Sequence, residues 1–174
     1  MAEALLIIDM LNDFVQPGAP LEVPETRTII KAIQDQVSKA RIEKRPVIYI
    51  CDAHAPDDPE FSRMHWPAHA VRGTFGAEII TELAPQGMDP VIEKTGYSGF
   101  HQTGLEGLLQ SLKVDRLIVT GCVTNICILF TAYDAVTRGY DVTVPADCVA
   151  SLTAEDGAFA LKQMSDVLGV KVES

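Results

Sequence analysis

Several features are scarce or missing in this chain of 174 residues, and each absence narrows what it can do. Positive charge is in short supply. Against 24 Asp and Glu there are 14 Lys and Arg, a net charge of −10, so the chain lacks the basic surface needed for a phosphate backbone or an anionic membrane. No apolar run approaches the roughly 18 residues of a membrane span, and no basic N-terminus leads into a signal-peptide core. The expected location is therefore cytoplasmic, with no nucleic-acid or membrane partner. Four cysteines, Cys51, Cys122, Cys127 and Cys148, form no C-x-x-C pair. Three lie in or beside apolar strand-like runs, which reads as free thiols rather than a disulfide framework. Neither G-x-G-x-x-G nor G-x-x-x-x-G-K-[ST] occurs, so nothing supports a nucleotide-phosphate cradle. Repeats, low-complexity tracts and Pro/Gly-rich linkers are also absent, and residues 1–174 read as one domain able to bury about 70% of its unfolded surface without a staple.

What the chain does have is alternation. Residues 4–8 (ALLII), 47–51 (VIYIC), 89–94 (DPVIEK), 117–121 (LIVTG), 140–145 (YDVTVP) and 170–173 (VKVE) read as strands. Between them, residues 25–44 have the apolar spacing of an amphipathic crossover helix, while TFGAEIITELAP reads as a short helix. TGLEGLLQSLK follows a Thr103/Glu106 capping-box pattern, and Thr153 with Asp156 caps AEDGAFALKQMSDVL. A further helix begins near Thr124 or Asn125 and ends at Gly139, a C′ glycine. Six strands alternating with helices predict an α/β fold, an open parallel sheet with right-handed crossovers and helices on both faces.

Ionisable residues close three of these strands: Asp9, Asp52 and Lys94. In open α/β sheets, ligands bind outside the carboxyl ends of the strands, which makes Asp9 a site candidate, although a turn carboxylate would look the same. The stretch LIVTGCVTNICILFT breaks at Gly121 as strand, sharp turn and helix. That break places Cys127 in the first helical turn, where the macrodipole should lower its pKa; the competing reading is a small core hydrophobe, the reading given to Cys122. The loop CDAHAPDDPEFSRMHWPAHAVRGTFG holds three of the four His and the only Trp. In extended backbone Asp52 and His54 share a face, and His69 or Glu60 can return to the same point, a set that suits Zn, Fe or Mn. His65 is expected to point elsewhere, and solvated loop polarity is the alternative to a metal.

Asp9 in IIDMLNDF, Lys94 in IEKTGYSGF and Cys127 in TGCVTNICILFTAYDA resemble, in order and spacing, the isochorismatase-like cysteine hydrolases, over essentially the whole chain. The resemblance implies a sheet of order 3-2-1-4-5-6 and a Cys–Asp–Lys triad. It further implies a cis Cys122–Val123 peptide and an oxyanion hole built from the Val123 and Cys127 backbone N–H groups. Within that superfamily, DAH…WPAHAVRGTFGAE is most similar to nicotinamidases. From them the chain would inherit one divalent ion, zinc before iron or manganese, on Asp52, His54 and His69, with Glu60 preferred over Asp57 and Asp58 as the further ligand. Phe14 and Trp66 would sandwich a pyridine ring and Tyr97 would line its pocket, ordinary packing being the alternative. The implied activity is hydrolysis of a small amide, nicotinamide first, by a homodimer or larger homo-oligomer. The rivals are an N-carbamoyl or ureido amidase, isochorismatase chemistry, which needs no thiolate, and a non-catalytic binding protein.

Overall fold

The computed structural model describes residues 2–174. Strand β1 (Ala2–Ile8) carries a continuous apolar run from Ala4 to Ile8 buried on both faces, which places it in the interior of a sheet rather than at its edge. It pairs in parallel with β2 (Val47–Asp52) on one side and β4 (Val114–Cys122) on the other. With β3 (Val91–Lys94), β5 (Asp141–Pro145) and β7 (Lys171–Glu173), the order is β3-β2-β1-β4-β5-β7. This is the predicted 3-2-1-4-5-6 order. A seventh strand that the sequence did not suggest, β6 (Val149–Ala150), lies off this path and pairs with the end of β4.

Alternate residues of β1 face opposite ways, and each set has its own core. Leu5 and Ile7 pack with Ile29 and Ile33 of α2 (Thr26–Ile42). Ala4, Leu6 and Ile8 pack with Leu105 and Leu109 of α4 (Leu105–Ser111), Ala132 and Ala135 of α5 (Leu129–Thr137) and Met164 of α6 (Ala154–Asp166). A sheet covered on both faces leaves only its strand ends free for chemistry. Among the described residues, no helix is long and apolar enough to cross a membrane.

Some local expectations are corrected. TFGAEIITELAP forms two separate 3₁₀ turns, Phe75–Ala77 and Thr81–Leu83, not a helix. The backbone between them is drawn out to pair with the β1 exit: Leu11 bridges Ile79, Asn12 N–H donates to Glu78 O, and Ile80 N–H donates to Met10 O. These long-range bonds replace the i→i−4 ladder. The Thr103/Glu106 box does not form; Thr103 Oγ1 donates to Gly99 O, and Gly104 stands at the N-cap of α4 without a side-chain bond. Two short helices occupy stretches read as loop: α1 (Asn12–Val15) and α3 (Pro59–Met64). The Thr153 cap does form, its hydroxyl accepting the Asp156 N–H at 3.1 Å, and Gly139 has φ +87° just beyond α5.

Register sets the level of the strand ends. Ile8 lies opposite Ile50 and Gly121, and Asp52 lies opposite Lys94. Gly121 has φ +114°, and a Cβ there would lie 2.0 Å from Ile8 O. Gly121→Ala is therefore expected to cost about 3 kcal/mol or more from backbone strain plus collision. Urea unfolding checks this, and a near-wild-type midpoint would mean that β1 and β4 need not approach so closely.

Candidate active site

The chain leaves β1 through Asp9, whose φ of +53° is a left-handed conformation that Asp tolerates better than most residues. Its backbone is fixed from both neighbouring strands: Asp9 N–H donates to Ile50 O at 2.9 Å, and Cys122 Sγ donates to Asp9 O at 3.1 Å. The side chain is thus aimed inward, where Oδ1 accepts the Asp52 N–H at 2.8 Å. Lys94, closing β3, brings a fully buried ammonium to the same point, with Nζ 2.8 Å from Asp9 Oδ2, 3.4 Å from Cys127 Sγ and hydrogen-bonded to Asp52 Oδ1. Asp9, Lys94 and Cys127, far apart in sequence, therefore meet at one ammonium, and Asp52 joins them.

Cys127 does not start an ordinary helix. Thr124–Ile128 is a π-helical turn that continues into α5, and its N-cap is Val123 rather than Thr124 or Asn125. The Ile126 and Ile128 N–H groups both donate to Val123 O. The Cys122–Val123 peptide is cis. The expected lowering of the Cys127 pKa is not found. Burial pushes the thiol well above its ordinary value, and the neighbouring Lys94 charge does not compensate because Asp9 and Asp52 oppose it. Cys127 lies in the π turn that leads into α5, and its burial among two acids outweighs what that position offers the thiolate. Burial of the sulfur thus favours its neutral, protonated form.

Beside it waits a base. Burial and then the Asp52 charge raise Asp9 to about 6, although Lys94 and a hydrogen bond with Cys127 pull the other way. Asp52 goes in the opposite direction: burial works to raise it, but Lys94 and His54 together hold it below the usual carboxylate value. Lys94 stays charged because the two carboxylates outweigh its own burial. A thiol, a partly tuned carboxylate and a permanent cation within bonding distance can move one proton and stabilise the charge that results.

Asp52 also opens the second cluster. Asp52, His54 and His69 each offer a ligand atom, and these atoms lie within 4.8 Å of one another. The donor chemistry fits a divalent cation. His69 Nδ1 lies 2.9 Å from Pro67 O, which can only accept, so Nδ1 carries the proton and Nε2 is free to bind. His54 Nδ1 faces Asp58 Oδ2 at 3.0 Å, and its Nε2 is a buried nitrogen with no hydrogen-bond partner. Each imidazole is thus held by its outer nitrogen, the arrangement that orients metal-binding histidines. Burial disfavours a charged His54, but Asp52, Asp58 and Glu60 raise it to about 9, and surroundings that retain a proton so firmly favour a cation in its place.

Glu60 is buried, with Oε2 3.6 Å from His54 Nε2, so it lies within reach of the cluster. Asp58 is instead the partner behind His54 and the N-cap of α3, accepting the Glu60 N–H at 2.9 Å. The readable signal for α3 was Asp58-Pro59, a cap residue followed by a proline suited to the first helical position. Asp57 is exposed, and His65, in a left-handed conformation past α3, is exposed as well.

One narrow cavity touches both clusters, with Asp9, Cys127, Asp52, Glu60 and His69 in its wall. Phe14, Trp66 and Tyr97 line it too, as does Ile126, which the sequence did not single out. Phe14 and Trp66 present their rings to His69 at centroid distances of 5.6 and 5.9 Å. Burial and a hydrogen bond to Glu60 push the Tyr97 phenol up to about 12. The cavity is therefore apolar and aromatic on its sides and ionic at its base, the usual make-up of a small-molecule site.

Comparison with known proteins matches residues 3–173 to the family described as Isochorismatase domain. A nicotinamidase/pyrazinamidase of Mycobacterium tuberculosis is 31% identical, covering 92% of this chain and 93% of that protein. The solved N-carbamoylsarcosine amidase of Thermoplasma acidophilum superposes with a TM-score of 0.90 at 32% identity, covering 99% of this chain and 96% of that one. The pyrazinamidase of Pyrococcus horikoshii, solved in complex with zinc, also gives 0.90, at 31% identity over 99% and 98% of the two chains.

Proposed function

We infer, from the premise that the chain belongs to the isochorismatase family, that it is a metal-dependent cysteine amidase whose substrate is nicotinamide, converted to nicotinate and ammonia. That it is a hydrolase acting on amide C–N bonds follows from its family and its amidase relatives. One observation supports the finer reading above others: Lys94 binds Asp52 as well as Asp9 and Cys127, so the thiol and the Asp52–His54–His69 cluster adjoin through a shared carboxylate, with Cys127 and His69 on one cavity wall.

In this reading the amide carbonyl sits over Cys127 and the ring lies between Phe14 and Trp66. Asp9 takes the thiol proton, and Sγ attacks the carbonyl carbon. The developing oxyanion is received by the backbone N–H groups of Val123 and Cys127. Lys94 balances the charge that passes between Asp9 and the sulfur. Asp9 then returns the proton to the amide nitrogen, the C–N bond breaks, and ammonia leaves a thioester on Cys127. Asp9, again a carboxylate, removes a proton from water as the water attacks the thioester; nicotinate departs and the thiolate recovers its proton. Asp52, His54 and His69, with Glu60 alongside, would hold a divalent ion, zinc being the best match to this donor set. When bound, the ion supplies a Lewis-acid contact for a ring nitrogen. The protein residues fix where that ring can lie.

The likeness to N-carbamoylsarcosine amidase favours a second reading, hydrolysis of an N-carbamoyl compound, for which a ring-binding metal would serve no purpose. Ammonia release from nicotinamide and from N-carbamoyl amino acids, by native and chelator-treated protein, separates the two. Release from nicotinamide that falls at least ~10-fold on chelation and returns with zinc is the expected result. Release from the carbamoyl compounds alone, indifferent to chelation, would replace it with the second reading.

A further inference from the structure

We propose that Asp13 is a positioning residue for the metal-ligating pair His69 and His54, and that Gly76 is the residue whose missing side chain makes room for it. The inference rests on the metal reading above but concerns a residue outside the cavity wall. Asp13 lies in α1, four residues past Asp9, and its Oδ2 accepts the Ala70 N–H at 2.8 Å. Ala70 directly follows His69. It is fully buried and has φ +44°, a left-handed conformation unusual for alanine, so its peptide needs an external hold. Its carbonyl in turn accepts the His54 N–H at 2.9 Å. One residue thus links the Asp13 carboxylate to both histidine ligands, through its N–H on one side and its C=O on the other.

Gly76 seals the arrangement. A Cβ on Gly76 would fall 2.1 Å from Asp13 Oδ2 and 2.2 Å from its Cγ, so the carboxyl group occupies the space a side chain would need. The flanking bonds hold this turn onto α1: Asn12 Nδ2 donates to Phe75 O at 2.9 Å, and Asn12 N–H donates to Glu78 O at 3.0 Å. From the same helix, Phe14 packs its ring against the His69 imidazole. The helix is therefore a bracket. It fixes the backbone of His69 through Asp13 and the ring of His69 through Phe14, while Pro67 O sets which nitrogen faces the cluster. Without the Asp13 acceptor, Ala70 keeps only the His54–Val71 bridge and the bond at its carbonyl to hold it left-handed, and its relaxation would turn the His69 peptide and loosen the His54 N–H. Lys94 is delivered by β3 and Cys127 by the π turn past β4, and neither depends on this bracket.

The test is zinc affinity of metal-stripped protein, measured by competition with a chromophoric chelator, for wild type, Asp13→Ala, Asp13→Asn and Gly76→Ala. The rate of Cys127 alkylation by iodoacetamide is followed in parallel. Asp13→Ala and Gly76→Ala are expected to bind zinc about 10- to 100-fold more weakly, the usual effect of losing a group that orients a ligand. Asp13→Asn, which keeps an accepting oxygen, should stay within about 3-fold of wild type, and alkylation should be unchanged throughout. The cobalt(II)-loaded visible spectrum should shift in Asp13→Ala and not in Asp13→Asn. Wild-type zinc affinity in Asp13→Ala would overturn the proposal. So would an equal loss in Asp13→Asn, or a change in alkylation that tracks the zinc loss. Wild-type protein that binds no zinc would overturn the metal reading itself, a separate outcome.

Discussion

Cys127→Ala protein is expected to fold, to take up one divalent ion as wild type does, and to release no measurable ammonia from any amide. Turnover should fall by at least ~10⁴-fold, because no other group on the cavity wall combines nucleophilic sulfur with a base and a cation in contact. Cys122 shares the wall, but its sulfur is fully buried, donates to Asp9 O and is pushed well above the ordinary thiol range by burial. The fold should tolerate the change, since only one sulfur is lost and Lys94 retains both carboxylate partners. Ammonia release, metal content and thermal unfolding of one preparation decide the matter. Turnover within ~10-fold of wild type would move the attack to water, and loss of metal along with activity would deny the separation of the two clusters.

The larger effect on stability is expected from Lys94→Met. This substitution keeps the length of the stem but strips the charge from between Asp9 and Asp52, which are only 2% and 7% exposed. Removing one partner from a buried ionic cluster strands the others, at a cost of about 3–5 kcal/mol, and activity should vanish with it. The pH dependence has a definite sign. Lys94 lowers both carboxylates, while burial raises them. Without the lysine, Asp9, already raised to about 6, goes higher and Asp52 loses the larger of the two charges that lower it, so the folded state of the variant binds protons more readily than that of wild type. The deficit relative to wild type should therefore be greatest near pH 8 and shrink toward pH 5, as the stranded carboxylates protonate. Urea midpoints of the metal-free proteins at the two pH values test this, and a deficit that grows on acidification would mean that the ammonium is not the main support of these acids.

Asp9, Asp52 and Lys94 were legible in sequence because each closes an apolar run, and a parallel sheet brings the carboxyl ends of its strands to one edge. Cys127 was legible as to place, since Gly121 breaks the run ahead of it. Its protonation was not, because that depends on how much burial the sulfur suffers and how many acids surround it, and neither is local. Asp52 and His54 were found from their spacing of two. The role of Asp58 was missed because Asp57, Asp58 and Glu60 are equivalent in spacing alone; only the turn of α3 sends one to the outer nitrogen of His54 and another to the cavity. The segment 74–85 has acceptable helix composition, and what overrides it is the hydrogen-bonding demand of the β1 exit, some sixty residues earlier.

The way the residues are shared out along the chain has a consequence for how such a protein can change. Asp9 and Lys94 sit at the carboxyl ends of strands of a seven-stranded sheet, and Cys127 in the turn just past another. Much of what would recognise the ring in the proposed reading, namely His54, Glu60, Trp66 and His69, comes from one excursion between β2 and β3, joined by Phe14 from α1, Asp52 from β2 and Tyr97 from just past β3. Inheritance can therefore edit the two parts separately. On the proposed reading, a descendant could rewrite or shorten the excursion and adopt a different amide while Asp9, Lys94 and Cys127 pass down unaltered, whereas a lineage that lost Lys94 would jeopardise folding before it had explored any new chemistry.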